Sequence, residues 1–348
     1  QESTWIDEDM IHDYSQLHRE GVAHSIEAFE EGEMVGGLYG LAMGRVFFGE
    51  SMFHKKSIIP FLATLLVSSS LYAAELDVYG ALNYKLSNDD NASGEAVMKA
   101  ENNGSKIGVN FSETLVEGSD ISGFATLEVG VDADDSGSDT FDSRLAFAGI
   151  NLGELGAISG GRQANPADNV SKTNIFNVYG ANAVWTYASR SSNSIKYENT
   201  VGPLTLSSLA IIDGASGKDG IDVTDISVSG EVGPISLAGG FVDDRVNDIG
   251  YNVLSAGLSI EGVDLGATYS IKDAATDLEG MEYTASKSFD DTTLAVGYGD
   301  KEGTATYMTY GVSHSVTESL LTYAEYQQTD NDTGTDTDQM AMGLKFSF

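Results

Sequence analysis

The chain has 348 residues, and 18 Lys and Arg against 53 Asp and Glu give it a formal net charge of −35 at pH 7. A chain this acidic repels the phosphates of nucleic acids, so its charge argues against a nucleic-acid partner. It contains no cysteine, which excludes a disulfide framework and a thiolate metal site. Its 40 Gly and 16 Tyr against 4 Pro favour many strands joined by tight turns.

The first segment, residues 1–54, is predicted to be a small α/β fragment. Apolar residues recur at helical spacing between Asp7 and Phe29 and predict a helix there. Two short strand-like runs follow, Met34–Tyr39 and Arg45–Phe48. A segment this short buries too little apolar surface to form a full core of its own.

The same segment carries three motifs: Leu17-His18-x-x-Gly21-x-Ala23-His24-Ser25-x-Glu27, Gly36-Gly37-Leu38-Tyr39-Gly40, and Phe48-Gly49-Glu50-Ser51-Met52-Phe53. They resemble the N-terminal region of leucyl/phenylalanyl-tRNA–protein transferases, which transfer aminoacyl groups to protein N-termini. The larger part of that enzyme has no counterpart here, so an active transferase is not expected. His18 and His24 are read either as acid–base groups or, preferably, as structural residues of the fragment.

Residues 52–74 have the anatomy of a secretory signal peptide. Lys55 and Lys56 form a positive start, Ile58–Val67 is an uncharged apolar stretch, and small residues at Ala73 and Ala74 predict the cleavage site. A transmembrane anchor would need about 20 apolar residues, and a buried core helix fits poorly with the paired lysines. Signal peptides belong at the N-terminus, but this one follows fifty-one residues in a chain that begins with Gln1. We therefore predict that two proteins are joined here, with Met52 as an alternative start.

From Glu75 to the end, short segments alternate polar and apolar residues. The last segment shows this clearly, because its apolar residues all share one parity: Met340, Met342, Leu344, Phe346 and Phe348. Period-two alternation with one apolar face predicts a sheet with one dry side. A soluble sandwich shares that property, but the opposite positions are small or polar, as expected for the wall of a wet lumen.

The connections between these segments alternate in kind. Seven short turns and eight longer, mostly acidic loops join sixteen predicted strands, and the longest loop is Asn165–Ala183. Short turns at one end and long loops at the other are typical of transmembrane barrels of the outer membrane. A closed barrel also pairs every backbone group, which lipid requires. The predicted fold is therefore all-β, a 16-stranded antiparallel transmembrane β-barrel over residues 75–348.

Four groups of residues in this region stand in a recognisable order: Asp77-Val78-Tyr79-Gly80, Gly104-Ser105-Lys106-Ile107-Gly108, Phe141-Asp142-Ser143-Arg144-Leu145-Ala146-Phe147-Ala148-Gly149 with Gly160-Gly161-Arg162-Gln163, and the terminal Phe348. They resemble the Gram-negative general porins over essentially all of 75–348. The resemblance implies a homotrimeric outer-membrane barrel whose third loop folds inward to narrow a water-filled pore. It also implies contact with outer-membrane lipid and lipopolysaccharide, and recognition of Phe348 by the barrel-assembly machinery.

The same resemblance places basic residues of the barrel wall opposite acids of the third loop. Lys106, Arg144 and Arg162 fall on matching wall positions, and Glu128, Asp168 and Arg190 are further candidates for the pore lining. Alternation predicts that Lys106 and Arg144 face the lumen, with Leu145 and Phe147 on the opposite face. Two wall positions that are often basic are Ala81 and Ala181 here, which predicts a weaker field.

The leading function is passive diffusion of small hydrophilic solutes and ions, with a mild cation preference from acidic loops and a net charge of −28 over residues 74–348. The alternatives are the transferase activity, with a cytoplasmic product if the N-terminal extension is translated, and a barrel used as an adhesin or phage receptor. Asp132-x-Asp134-x-Ser136-Gly137 hints at a calcium loop, but Ser143 stands where a Glu ligand is needed. No cofactor is expected. Tyr298, Tyr323 and Phe346 are candidates for the aromatic girdles.

Overall fold

The computed structural model describes residues 8–30, 33–43, 46–54, 75–90, 96–134, 140–180, 183–214 and 220–348. The chain divides into two compact units, residues 1–72 and residues 73–348. Most of the predicted signal peptide, including the cleavage site at Ala73 and Ala74, lies outside the described residues, as does Ala181.

The first unit contains one helix, α1 (Glu8–Arg19), and a three-stranded antiparallel sheet of β1 (Ala23–Glu30), β2 (Glu33–Met43) and β3 (Val46–His54), among its described residues. The predicted continuation of the helix to Phe29 is wrong. Gly21 adopts a φ of 76°, in the left-handed region that ends helices, and its N–H donates to the His18 carbonyl at 3.0 Å. No described helix is both long enough and apolar enough to cross a bilayer.

The second unit is a closed antiparallel barrel in which each strand pairs with its neighbours in chain order. Its strands are β4 (Glu75–Asp90), β5 (Ala96–Asn102), β6 (Lys106–Thr114), β7 (Ile121–Val131), β8 (Phe141–Leu152), β9 (Ala157–Ala164), β10 (Arg190–Val201), β11 (Leu204–Ile211), β12 (Val223–Val232), β13 (Ile235–Asp244), β14 (Ile249–Ile260), β15 (Val263–Asp273), β16 (Leu278–Phe289), β17 (Thr292–Lys301), β18 (Ala305–Ser315), β19 (Leu320–Asn331) and β20 (Thr337–Ser347).

The predicted count of sixteen barrel strands is confirmed, because β5 and β6 are two halves of one interrupted strand. Both pair with β4, β6 along its first half and β5 along its second. The interruption is at Asn103–Ser105, where Gly104 has a φ of 77°. Asn83 of β4 bridges the gap, since its side-chain amide donates to the Asn103 carbonyl at 2.8 Å and its backbone N–H donates to Ser105 Oγ at 2.9 Å.

The alternation of the sequence becomes the two faces of the barrel wall. In β4 the side chain of Leu82 is 51% exposed on the outer face, whereas its neighbour Asn83 is 7% exposed on the inner face. Tyr298 and Phe346 lie on the outer face, as expected of girdle residues. The expectation for Tyr323 is wrong, because it is buried on the inner face and donates its hydroxyl proton to Asn83 Oδ1 at 2.8 Å.

The barrel closes between its first and last strands, where β20 pairs with β4. The terminal Phe348 extends this pairing by exchanging two backbone hydrogen bonds with Gly80, at 2.9 and 3.1 Å. A side chain at position 80 would meet the Phe348 ring within 2.5 Å, so glycine is required there. Several of the predicted long loops are shorter than expected, because their strands extend: the connections are residues 245–248, 274–277, 302–304 and 332–336.

Candidate pore constriction

The third long connection is described over residues 165–180 and 183–189. These residues enter the barrel and lie along its inner wall, which confirms the inward-folded loop. It joins β9 to β10 and extends beyond the predicted end at Ala183. Its first residues form a short 3₁₀ turn, Ala167–Val170, and the Ala167 N–H donates to Asp225 Oδ1 on β12 at 2.9 Å. Its apolar side chains join two small buried clusters with the wall, which include Leu209, Ile211, Val223, Ala238, Val242 and Val253.

The middle of this segment is held by polar side chains of β15 and β16. Thr173 donates to the buried carboxylate of Glu282, which also accepts a hydrogen bond from the Tyr307 hydroxyl. Thr173 Oγ1 lies 3.1 Å from Thr268 Oγ1 as well. Further along, the Phe176 ring lies over two glycines of the wall, because Gly297 and Gly311 provide room that a larger residue would fill.

The tip of the segment is fixed by one carboxylate. Glu325 on β19 is 3% exposed and accepts hydrogen bonds from three consecutive backbone N–H groups, those of Asn177, Val178 (2.9 Å) and Tyr179 (3.1 Å). The Tyr179 hydroxyl then donates to Asp89 Oδ1 on β4 at 3.0 Å. A carboxylate that collects several N–H groups makes strong, charge-assisted hydrogen bonds, so the tip is firmly anchored.

The returning half of the segment follows the wall back toward β10. The Ala183 N–H donates to the Tyr307 hydroxyl at 2.9 Å, and the Trp185 N–H donates to Ser270 Oγ at 2.7 Å. The Tyr187 ring then packs edge-on against Tyr251 of β14, with ring centroids 6.1 Å apart. The described anchors of the segment therefore lie on β11 to β19 and on β4.

A charged cluster occupies another part of the inner wall, on β6, β7 and β8. Glu128 is 3% exposed and forms ion pairs with Lys106 at 2.9 Å and with Arg144 at 2.6 Å. The Tyr79 hydroxyl donates a third bond to Glu128 at 3.0 Å. The structure thus brings three of the six predicted pore residues into contact. One carboxylate between two cations leaves this cluster with a net positive charge.

Arg144 reaches this cluster through a β-bulge rather than through simple alternation. The register between β7 and β8 shifts between Glu128 and Val129, so Glu128 pairs with Leu145 and Val129 with Ser143, and Arg144 is the extra residue. Leu145 and Phe147 therefore share the face of Glu128, and the prediction that they lie opposite Arg144 is wrong. A bulge redirects a side chain in this way by adding one unpaired residue.

The other three predicted residues lie near one another at the entry and exit of the inward segment. Arg162 donates to the Ser143 carbonyl at 3.4 Å and to Ser192 Oγ at 3.1 Å, opposite a second bulge. Arg190 is within electrostatic reach of Arg144, Arg162, Glu128 and Asp168. Burial raises the pKa of Asp168 above its usual range, against the opposing effects of a hydrogen bond with Thr186 and the charge of Arg190.

Sequence reasoning missed the residues that hold the segment in place, above all Glu282, Tyr307 and Glu325. Each stands at an inner-face position of its strand, so alternation alone could place it inside the barrel. A buried acid at such a position is costly unless it is hydrogen-bonded, and this could have marked Glu282 and Glu325 as binding groups. The sequence around Glu282 and Glu325 does not indicate which groups they bind.

A closed sixteen-stranded barrel with an apolar outer face, a polar inner face and an inward third loop defines an outer-membrane channel of the porin type. The comparisons agree, because the family model described as Gram-negative porin matches residues 62–334. The chain belongs to the Gram-negative porin family. Its family and fold place it in the outer membrane.

Solved structures show the same fold at low sequence identity. An anion-selective porin from Comamonas acidovorans has a TM-score of 0.67 at 16% identity over 79% of this chain and 100% of that chain. OmpF of Salmonella typhi, in complex with daunomycin, has a TM-score of 0.68 at 18% identity over 79% and 98%. The trimer form of OmpT from Vibrio cholerae has a TM-score of 0.62 at 16% identity over 79% and 100%. Identities this low establish the fold alone.

The N-terminal residues are similar to a different family, so the chain is a chimera. The model for leucyl/phenylalanyl-tRNA protein transferase matches residues 1–79. The transferase of Saccharophagus degradans is 54% identical over 83 residues, which are 22% of this chain and 34% of that protein. The transferase of Hahella chejuensis is 67% identical over 54 residues, 16% of this chain and 23% of that protein. The chain spans about a third or less of the curated relatives it matches.

Proposed function

We propose that residues 75–348 form a passive diffusion channel for small hydrophilic solutes and ions, with a mild preference for cations. The observation that carries this proposal is the inward segment, which is anchored by hydrogen bonds and packing to β11–β19 and β4 while charged side chains line β6–β8. A water-filled lumen lowers the cost of crossing lipid, and bore and wall charge set which ions pass. No chemical step is required of any residue.

The proposed cation preference comes from the sum of charges rather than from the constriction alone. Residues 74–348 carry a net charge of −28, which attracts cations toward the mouth of the pore within about 10 Å at 0.1 M salt. Within the proposed constriction of Lys106, Glu128, Arg144, Arg162, Asp168 and Arg190, Glu128 already offsets one of its two bonded cations. The positive charge of the wall is therefore too small to reverse the wider field.

The proposed mature protein begins at Ala74 or Glu75, after cleavage of the signal peptide at Ala73 or Ala74. The assigned domains are then a transferase-like fragment over residues 1–54, a signal peptide over 52–74 and the porin over 75–348. Mass spectrometry of protein recovered from outer membranes tests this, and a form that retains Trp5 would contradict it. Translation from upstream of Met52 is expected to leave a cytoplasmic, unfolded product.

We propose that the protein is not an enzyme. The alternative is aminoacyl transfer by the N-terminal fragment. In the structure His18 Nδ1 lies 2.8 Å from the Ala23 carbonyl oxygen and His24 Nε2 lies 3.1 Å from that of Gly21. Both rings therefore brace the turn between α1 and β1, which supports a structural role. Aminoacyl transfer from charged tRNA by the purified full chain would overturn this assignment.

The proposed assembly is a homotrimer in contact with outer-membrane lipid and lipopolysaccharide, with Phe348 as the signal read by the barrel-assembly machinery. Phe348 supports this role because it directly follows β20 and exchanges backbone hydrogen bonds with Gly80 of the first barrel strand. Deletion of Phe348 is expected to lower the yield of heat-resistant oligomer in outer membranes. An unchanged yield would remove Phe348 from this role.

The experiment that tests the channel function is a planar bilayer recording with the purified full chain. Stepwise, ohmic conductance in KCl is expected, and the reversal potential under a salt gradient should indicate mild cation preference that fades toward 1 M salt, where screening shortens to about 3 Å. A barrel that inserts without conducting would contradict the proposal. An anion-selective reversal potential would contradict only its selectivity.

A further inference from the structure

A cationic and aromatic cluster lies on the inner wall at the end of the barrel that carries the third loop. It consists of Trp185 on the inward segment, Lys272 at the end of β15 and Lys301 at the end of β17, which we call the mouth cluster. The Lys301 ammonium lies 4.1 Å from the centroid of the Trp185 ring, and the Lys272 ammonium lies 5.1 Å from it. Both distances are within the range of cation–π attraction.

The register of the strands places both lysines on the inner face. Lys272 pairs with Tyr251, which packs against the buried cluster beneath the inward segment. Lys301 pairs with Gly280, which lies directly against the Ala183 carbonyl of that segment. The ammonium groups therefore face solutes that enter the lumen rather than the lipid outside.

The indole that both ammonium groups approach is fixed by two hydrogen bonds of Trp185. The Trp185 backbone N–H is bonded to Ser270, and its indole N–H donates to the Glu279 carbonyl at 3.1 Å. Because both ammonium nitrogens are tied to one ring, they are at most about 9 Å apart. The adjacent carboxylate of Glu302 accepts the Glu279 backbone N–H at 2.9 Å.

We propose that Trp185, Lys272 and Lys301 form a binding subsite for an oxyanion with two negative charges, such as phosphate or the phosphate group of a monoester. Two ammonium groups repel each other, and a dianion placed between them relieves that repulsion and accepts hydrogen bonds from both. The chain as a whole has a strongly negative net charge, so cationic sites such as this one and the cluster around Glu128 are local departures from it. The subsite would hold phosphate-bearing solutes at the mouth, and this role rests on the proposed channel function.

Trp185 offers a direct readout of binding, because the whole chain has only two tryptophans and the other is Trp5. The full-length Trp5→Phe variant, folded in detergent, therefore reports on Trp185 alone. Titration with sodium phosphate is expected to change its fluorescence saturably, whereas sodium chloride at the same ionic strength should not. The double variant Lys272→Gln, Lys301→Gln, in this background, should weaken phosphate binding about tenfold or more.

The matched control is Lys287→Gln. Lys287 also lies over an aromatic ring, that of Phe289 at 5.6 Å, but it is exposed at the turn end of β16 and shares the outer face of Tyr283. This control should bind phosphate as the parent does. An equal response to chloride, no response to phosphate, or an unchanged affinity in the double variant would overturn the subsite.

Two further measurements distinguish loss of the subsite from misfolding and from failure of the proposed channel function. The variant Lys272→Arg keeps a cation over the indole and should retain phosphate binding. If the glutamine variant loses binding and the arginine variant keeps it, the missing positive charge explains the loss. Conductance of the same preparation tests the channel by itself. A conducting barrel without phosphate binding defeats only the subsite, and phosphate binding by a barrel that does not conduct defeats only the channel.

Discussion

The inner wall of the barrel has two regions that use charge in opposite ways. On β16 and β19, Glu282 and Glu325 are covered by the inward segment, and their oxygens accept hydrogen bonds from its backbone and side chains. On β6 to β8, Glu128 is paired with Lys106 and Arg144, both of which are partly exposed to the lumen. Both regions bury carboxylates almost completely.

The two regions differ in what their carboxylates bind. A carboxylate that binds backbone N–H groups fixes the position of a segment, because those donors cannot move without losing their partner. A carboxylate that binds flexible cationic side chains sets the local charge of the lumen instead. We therefore expect the covered region to set the bore of the proposed pore and the lumen-facing region to set its electric field.

Removal of Glu325 should produce the largest effect. The substitution Glu325→Ala leaves the N–H groups of Asn177, Val178 and Tyr179 without their acceptor, at about 1–3 kcal/mol for each donor that stays buried and unpaired. We expect the tip to leave the wall, residues 165–189 to become sensitive to protease, and single-channel current to fluctuate between several levels. The exposed turn residue Glu318 provides a control, as Glu318→Ala. Steady current with full protease resistance in the Glu325 variant would contradict the anchor.

Reversal of one lumen-facing charge should have a smaller effect, confined to selectivity. Arg144→Glu replaces a cation beside Glu128 with an anion, so the cation preference should increase. A unit charge at about 4 Å in water is worth about 1 kcal/mol, which corresponds to about a fivefold change in permeability ratio. The reversal potential under a salt gradient measures this change.

The same charge change elsewhere provides the comparison for Arg144. Lys287 lies on the outer face at the turn end of β16, so Lys287→Glu should leave the reversal potential unchanged. Lys106→Glu should shift the reversal potential in the same direction as Arg144→Glu. If the reversal potential is the same in all three variants, the cluster around Glu128 does not line the conducting path.

The smallest expected effect is the pH dependence that comes from Asp168. Its raised pKa means that it takes up a proton at a higher pH than an ordinary aspartate, whose pKa is about 3.9. The loss of this negative charge as the pH falls should weaken the cation preference at a higher pH than protonation of an ordinary aspartate would. Asp168→Asn removes the charge at every pH, so it should lower the cation preference at neutral pH and flatten its pH dependence. Asp248→Asn, in an exposed loop, should leave the profile unaltered; an identical profile for both variants would exclude Asp168 from the pore.

Sequence alternation was enough to predict the strands and most of the two faces, because the side-chain period of a strand is a local property. It placed Lys106 and Glu128 on the inner face correctly. It failed at Leu145 and Phe147, because the bulge at Arg144 shifts the register between two strands and leaves no local mark. Alternation also assigns Tyr323 to the inner face, because Tyr323 shares the parity of Glu325, so the girdle prediction for Tyr323 was wrong because it ignored this parity.

The sequence by itself determined the class of the second unit and its number of strands, and the resemblance to the porins implied the inward direction of the third loop. Only the tertiary structure decided which groups hold that loop. Tyr179 and Glu325 are 146 residues apart in the chain, and Thr173 and Glu282 are 109 apart. Such partners meet only when the barrel closes, because closure fixes the register of every strand and so the height at which each inner side chain meets the loop.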